Sequence, residues 1–111
     1  MEYVKQNEIE PFSLGEGRSR YHIHTDNLMM VVFDFEDGPY EKPNPPHSHP
    51  HEQISYIASG RVAYFIEGEK VVLEPGDMIT IPPGVSHTVQ LMSEKARLVD
   101  AFHPVREDFL G

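Results

Sequence analysis

The sequence predicts an all-β protein, an antiparallel sandwich or barrel, on three observations. Short runs rich in β-branched and aromatic residues recur along the chain, about eight to ten of them. Turns built on glycine and proline separate them, drawn from 8 glycines and 10 prolines in 111 residues. No stretch repeats its apolar residues at helical spacing for long enough to form an amphipathic helix.

Taken in order, residues 1–16 carry little periodicity and are punctuated by Pro11 and Gly15, which predicts an N-terminal arm with one short strand. Residues 18–25 (RSRYHIHT) alternate, placing Arg18, Arg20, His22 and His24 on one face. Residues 27–36 (NLMMVVFDFE) read as a strand whose Met29, Val31, Phe33 and Phe35 form one apolar face. Leu28, Met30 and Val32 begin a second apolar face before Asp34 and Glu36 make it polar. A strand apolar on both faces is expected at a sheet edge covered by something else, with a second subunit as the candidate. Residues 37–46 (DGPYEKPNPP) hold four prolines and cannot continue a ladder, so they form a loop. Further strands are expected over 54–58, 61–67, 70–73, 78–81, 86–92 and 96–102. The turns between them fall at Gly60, Gly68-Glu69, Pro75-Gly76-Asp77 and Pro82-Pro83-Gly84. The tail, HPVREDFLG, closes with a helical turn.

The loop over 37–46 delivers the chain to the segment HSHPHEQ, residues 47–53. His47 and His49 lie two apart, so on an extended strand both imidazoles project from one face, and Gln53 shares their parity. His87 follows the Pro82-Pro83-Gly84 turn. Three imidazoles and one side-chain oxygen, leaving coordination positions open, describe a catalytic metal site. A neutral glutamine, where a carboxylate would cancel charge, leaves the full +2 on the metal. His51 is read as a rim residue, Glu52 as solvated, His22 and His24 as strand-surface residues, and Met29 and Met30 as core or subunit interface. On the last strand Leu98, Asp100 and Phe102 share a face. An aspartate between apolar neighbours on a core face is costly without a partner. Asp100 is therefore a candidate proton shuttle.

Bulk properties exclude several classes. Nine Lys and Arg against eighteen Asp and Glu give a formal charge of −9, which disfavours nucleic-acid backbones but not a small anion held at a metal. With no cysteine there is no disulfide, thiolate site or cysteine nucleophile. The opening MEYVKQNEIEPF lacks a basic segment followed by an apolar one, and no apolar run approaches the roughly 20 residues of a membrane span. One cytoplasmic domain over residues 1–111, without membrane or nucleic-acid partners, is the expectation.

Two stretches resemble the paired motifs of the cupin superfamily. The first, over residues 47–60, has His47, His49, Gln53 and Gly60 on the family spacing, with glutamine where glutamate is usual and Glu41 at the leading glycine position. The second, over residues 76–91, has Gly76, Pro82, Gly84 and His87, with Leu91 replacing the final asparagine. The resemblance implies a double-stranded β-helix (jelly-roll) barrel with a metal inside one mouth. The ending over residues 100–110, DAFHPVREDFL, is similar to that of the KdgF-type small cupins of pectin and alginate breakdown, which share HSHPHEQ. What this implies is an isomerase converting 4,5-unsaturated monouronates to the linear 5-keto-4-deoxyuronate. His47, His49, Gln53 and His87 would ligate one divalent transition metal (zinc, nickel, iron or manganese). Asp100 would be the acid/base, and Phe102 and Arg106 would belong to the site. Arg106, with Arg20 from the other half of the chain, could bind the substrate carboxylate. His103 stands where that ending usually has a smaller residue, and pointing inward it would crowd the mouth. The resemblance also implies a homodimer. Two other readings stay open: an iron cupin dioxygenase on a small organic acid, and a non-catalytic metabolite-binding cupin.

Overall fold

The computed structural model describes residues 1–110. Nine strands form two antiparallel sheets: β1 (Phe12–Gly15), β2 (Arg18–His24), β3 (Met29–Phe35), β4 (Glu52–Ser59), β5 (Val62–Ile66), β6 (Glu69–Leu73), β7 (Met78–Ile81), β8 (His87–Leu91) and β9 (Ala96–His103). One sheet has the order β1-β2-β3-β9-β4-β7 and the other β6-β5-β8. The only helical pieces among the described residues are two 3-10 turns, Gln6–Glu8 and Glu107–Phe109, the second being the expected closing turn. Among the described residues no helix is long and apolar enough to cross a membrane.

The alternation read from the sequence decides what faces the core. In β4, Gln53, Ser55 and Ile57 are buried while Glu52, Ile54, Tyr56 and Ala58 are exposed. In β9, Ala96, Leu98, Asp100 and Phe102 are buried. The apolar core lies between the sheets and is built from Phe35, Ile57, Val62, Tyr64, Leu73, Ile81, Leu91 and Leu98. A second cluster of Met29, Val31, Phe102 and Val105 sits at one end. Strand pairing also carries polar side chains inward on β4 and β9. Gln53 pairs with Phe102 and Ser55 with Asp100 across β4 and β9.

Two expectations are corrected. β3 is not an edge strand: it pairs with β2 on one side and β9 on the other over its whole length. Its second apolar face is instead the outer surface of the sheet, where Leu28 and Met30 are exposed. His47 and His49 also do not share a strand. They lie in the loop before β4, with His47 in an isolated bridge to His87, so strand parity is not what brings them together.

Gly60 turns β4 toward β5 with φ +78, and a Cβ there would overlap the Lys95 carbonyl and lie 2.6 Å from the Ala96 Cα. Left-handed backbone costs a non-glycine residue about 1–2 kcal/mol. Gly60→Ala is expected to lose at least that much stability, plus the cost of overlap, read as a lowered denaturant midpoint at unchanged slope.

Candidate metal centre

The site is assembled by backbone hydrogen bonds between two distant segments. His47 N donates to His87 O at 3.0 Å and His87 N to His47 O at 2.9 Å. This reciprocal pair sets the His47 loop against the start of β8. Gly84 N donates to His49 O at 2.8 Å, tying the turn before β8 to the same loop. The ring centroids of His47 and His87 are consequently 4.4 Å apart, those of His49 and His87 4.9 Å, and those of His47 and His49 5.7 Å. One ligand atom from each of the three lies within 4.8 Å of the others.

Hydrogen bonding settles which nitrogens are offered. His49 Nδ1 lies 3.1 Å from the His51 carbonyl and His87 Nδ1 2.9 Å from the Val85 carbonyl. A carbonyl only accepts, so His49 and His87 carry their proton on Nδ1 and present Nε2 as a lone pair, the arrangement that orients metal-bound imidazoles. Nε2 of His87 is buried and without a hydrogen-bond partner. Nε2 of His49 lies 3.0 Å from Gln53 Oε1. The orientation of that amide is set from its other end, because Gln53 Nε2 donates to Ser55 Oγ and to Asp100 Oδ2, both at 3.0 Å. In this tautomer two acceptors face each other, an arrangement that a cation bound between them would satisfy. An imidazolium is disfavoured, since burial lowers the pKa of all three histidines and takes His47 to about 4. Three neutral imidazoles and an amide oxygen fit a divalent transition metal.

Asp100 lies behind Gln53. It is 4% exposed, its Oδ2 accepts from Gln53, and its Oδ1 has no partner. Burial pushes its pKa up to about 7, opposed by Ser55 and by the Arg106 charge. Burial, with the nearby Asp100, also raises the pKa of Tyr64. A cavity of about 230 Å³ opens here, lined by His47, His87, Gln53, Asp100, Phe102 and Arg106, with Phe33, Phe35 and Leu98 on its apolar side. Arg106 is held in place. Its guanidinium meets both carboxylate oxygens of Asp108 at 3.3 and 2.8 Å, and lies 4.1 Å from the Phe109 ring centroid and 5.2 Å from that of Phe102.

Arg20 is placed differently from the expectation. It lies over the rings of Phe12 and Phe109, at 4.7 and 4.0 Å, and does not line the cavity, whereas Arg18 on the same strand face does. His103 points outward, exposed, with Nδ1 3.9 Å from a Glu52 carboxylate oxygen, and does not crowd the mouth. Sequence reading overlooked Ser55 and Tyr64, although the alternation of their strands already turned both inward. It also overlooked Phe109, whose role depends on the tail folding back over β2 and β9. The purified protein is expected to hold about one divalent transition metal per chain. His87→Ala should abolish most of that metal by elemental mass spectrometry while leaving the far-ultraviolet circular dichroism unchanged.

The comparisons with known proteins agree with this geometry. The cupin domain family pattern matches residues 31–102, spanning both histidine segments and most of β9. The pectin degradation protein KdgF of Dickeya dadantii (strain 3937) is 40% identical over 110 residues, 97% of either chain. The structure of KdgF from Halomonas sp. superposes with a TM-score of 0.87 at 30% identity, covering 97% of this chain and 99% of that one. An RmlC-like cupin from Shewanella frigidimarina NCIMB 400 superposes equally well, with a TM-score of 0.87 at 30% identity over 98% of this chain and 96% of that one. A jelly-roll of two antiparallel sheets, three histidines gathered at one mouth and a family match over most of its length make this chain a member of the cupin family.

Proposed function

We propose that this cupin is a metal-dependent isomerase that opens 4,5-unsaturated monouronates, the products of pectin or alginate cleavage, to the linear 5-keto-4-deoxyuronate. The observation that carries the reading is the place of Asp100. One of its oxygens is held by the Gln53 amide, the other is unpartnered, and the carboxyl lines the same cavity as His47 and His87. The 40% identity to a pectin degradation protein over nearly the whole chain supports the substrate class.

His47, His49, His87 and Gln53 would hold the metal. A bound dication supplies Lewis-acid stabilisation of charge on the substrate oxygens. Asp100 Oδ1 takes the proton of the anomeric hydroxyl. The bond from the anomeric carbon to the ring oxygen breaks, and its electrons stay on the ring oxygen as an enolate. Asp100 then returns the proton to C4, and the enolate becomes the ketone. Nothing is oxidised and no atom is gained or lost. Burial favours this double use, because a carboxyl with a pKa near 7 exists in both forms at neutral pH. Arg106, immobilised by Asp108 and Phe109, presents a fixed cation to the uronate carboxylate, and Phe102 supplies an apolar wall for the sugar ring.

The reading is tested by the decay of enol-acid ultraviolet absorbance on 4,5-unsaturated galacturonate and its alginate-derived counterpart, under nitrogen, with metal or chelator. Metal-dependent acceleration without oxygen is expected. A strict need for oxygen would favour the dioxygenase class, and binding without turnover the non-catalytic one. Asp100→Asn should keep its metal but lose roughly 10²- to 10⁴-fold in rate, the usual share of a positioned acid/base. Normal turnover by that variant would remove Asp100 from the mechanism.

A further inference from the structure

The cavity beside the metal centre runs along the sheet and reaches a cation that the proposed reaction does not use. Arg18 lines it together with Leu14, Phe35, Pro45 and Val89. On β2, Arg18 pairs with Phe35, and Phe35 pairs with Ala96 of β9. Asp100 pairs instead with Val31, four residues away along β3. At about 3.4 Å per residue the two rows are roughly 14 Å apart. Directly paired residues share a face of the sheet, and Phe35 is buried, so Arg18 stands on the inner face. Arg106, whose charge acts on His47, His49 and His87, is at the metal end of the same cavity.

The state of Arg18 separates it from the other four arginines. Arg20 lies over the Phe12 and Phe109 rings, and Arg61, Arg97 and Arg106 meet Glu74, Asp34 and Asp108. Half-buried Arg18 has no ion pair and no side-chain hydrogen bond among the described residues. Glu16 and Asp37 act with it on the Tyr40 hydroxyl, yet neither pairs with it. Thr88 lines the cavity too, but its hydroxyl is committed to the Asn44 carbonyl at 2.6 Å. A guanidinium carries five donors in a planar fork, and donors partly withdrawn from water gain by meeting an acceptor.

A 4,5-unsaturated uronate has such an acceptor at the matching end. Its C4 and C5 are planar, so galacturonate and glucuronate give one compound, and mannuronate and guluronate give another. The two differ only in configuration at C2. C2 lies diagonally across the ring from C5, which bears the carboxylate. With the carboxylate against Arg106, the C2 hydroxyl points along the cavity toward Arg18.

We propose that Arg18 donates hydrogen bonds to the C2 hydroxyl and is the residue by which this protein tells the two sugar series apart. The pose rests on the isomerase reading of the site. The guanidinium meets the hydroxyl in one configuration and lacks its acceptor in the other, which is how polar sites reject a close analogue.

The test uses glucuronate and mannuronate, saturated uronates that also differ only at C2 and lack the double bond that the reaction consumes. Their binding to the metal-loaded full chain is measured by calorimetry, beside kcat/KM on the two unsaturated epimers. Wild type is expected to favour one epimer by about 10-fold or more, the scale of a hydrogen bond to a charged group. Arg18→Met should weaken binding of the favoured epimer by that factor and bring the ratio close to one, with metal content and circular dichroism unchanged. Arg18→Lys keeps the charge and loses the fork, so it should retain part of the affinity and little of the preference. It decides the matter if the methionine variant does not fold. A wild type that binds neither epimer, or binds both alike, overturns the assignment, as does a folded, metal-bearing Arg18→Met that keeps the preference. A preference in binding that Arg18→Met removes, with no turnover of either unsaturated epimer, supports the assignment and overturns the isomerase reading. Turnover with a preference that ignores Arg18 does the reverse.

Discussion

The reciprocal hydrogen bonds between the backbones of His47 and His87 are the constraint on which the site depends. They are ordinary antiparallel bonds, but they join a proline-rich loop to the start of a strand. Neither segment could hold its imidazole in place alone. The loop has no ladder of its own, and β8 presents only one histidine to this end of the barrel. Once the two are joined, the imidazoles converge, and those of His49 and His87 are turned by a carbonyl acceptor behind them.

Gln53 is the second fixed point. Its amide has two ends with opposite hydrogen-bonding character, and the fold uses both. The NH₂ group is committed to Ser55 and Asp100, which leaves the oxygen turned toward His49. A glutamate at this position would place a second carboxylate against buried Asp100, and the two like charges would repel in a poorly solvated wall. Glutamine thus serves the metal side and the carboxyl side at once. This accounts physically for the departure from the usual cupin motif.

The tail adds a third layer. Phe109 stacks near Phe33 and Phe102 and receives both Arg20 and Arg106 over its ring. Arg20 therefore meets the same ring that Arg106 lies over and does not reach the cavity. Two cations sharing one aromatic ring are tolerable because the half-exposed Asp108 offsets part of the Arg106 charge, and the ring faces attract both guanidiniums.

Much of this was legible in the chain itself. Alternation marked the inward residues of β4 and β9, glycine and proline marked the turns, and motif spacing named His47, His49, Gln53 and His87. These are local properties, written in period-two patterns and in residues with restricted backbone conformations. The neighbours of β3, the loop position of His47 and His49, the outward turn of His103 and the retreat of Arg20 behind Phe109 were not legible. Each depends on contacts between segments far apart in sequence, and a strand's pattern says which face is apolar without saying what lies across from it. The sequence alone thus determined the all-β class, the inward faces of the strands and the three histidines that converge. Tertiary pairing decided which nitrogens and oxygens those residues offer to one another, because only packing fixes the hydrogen bonds that orient an imidazole or an amide.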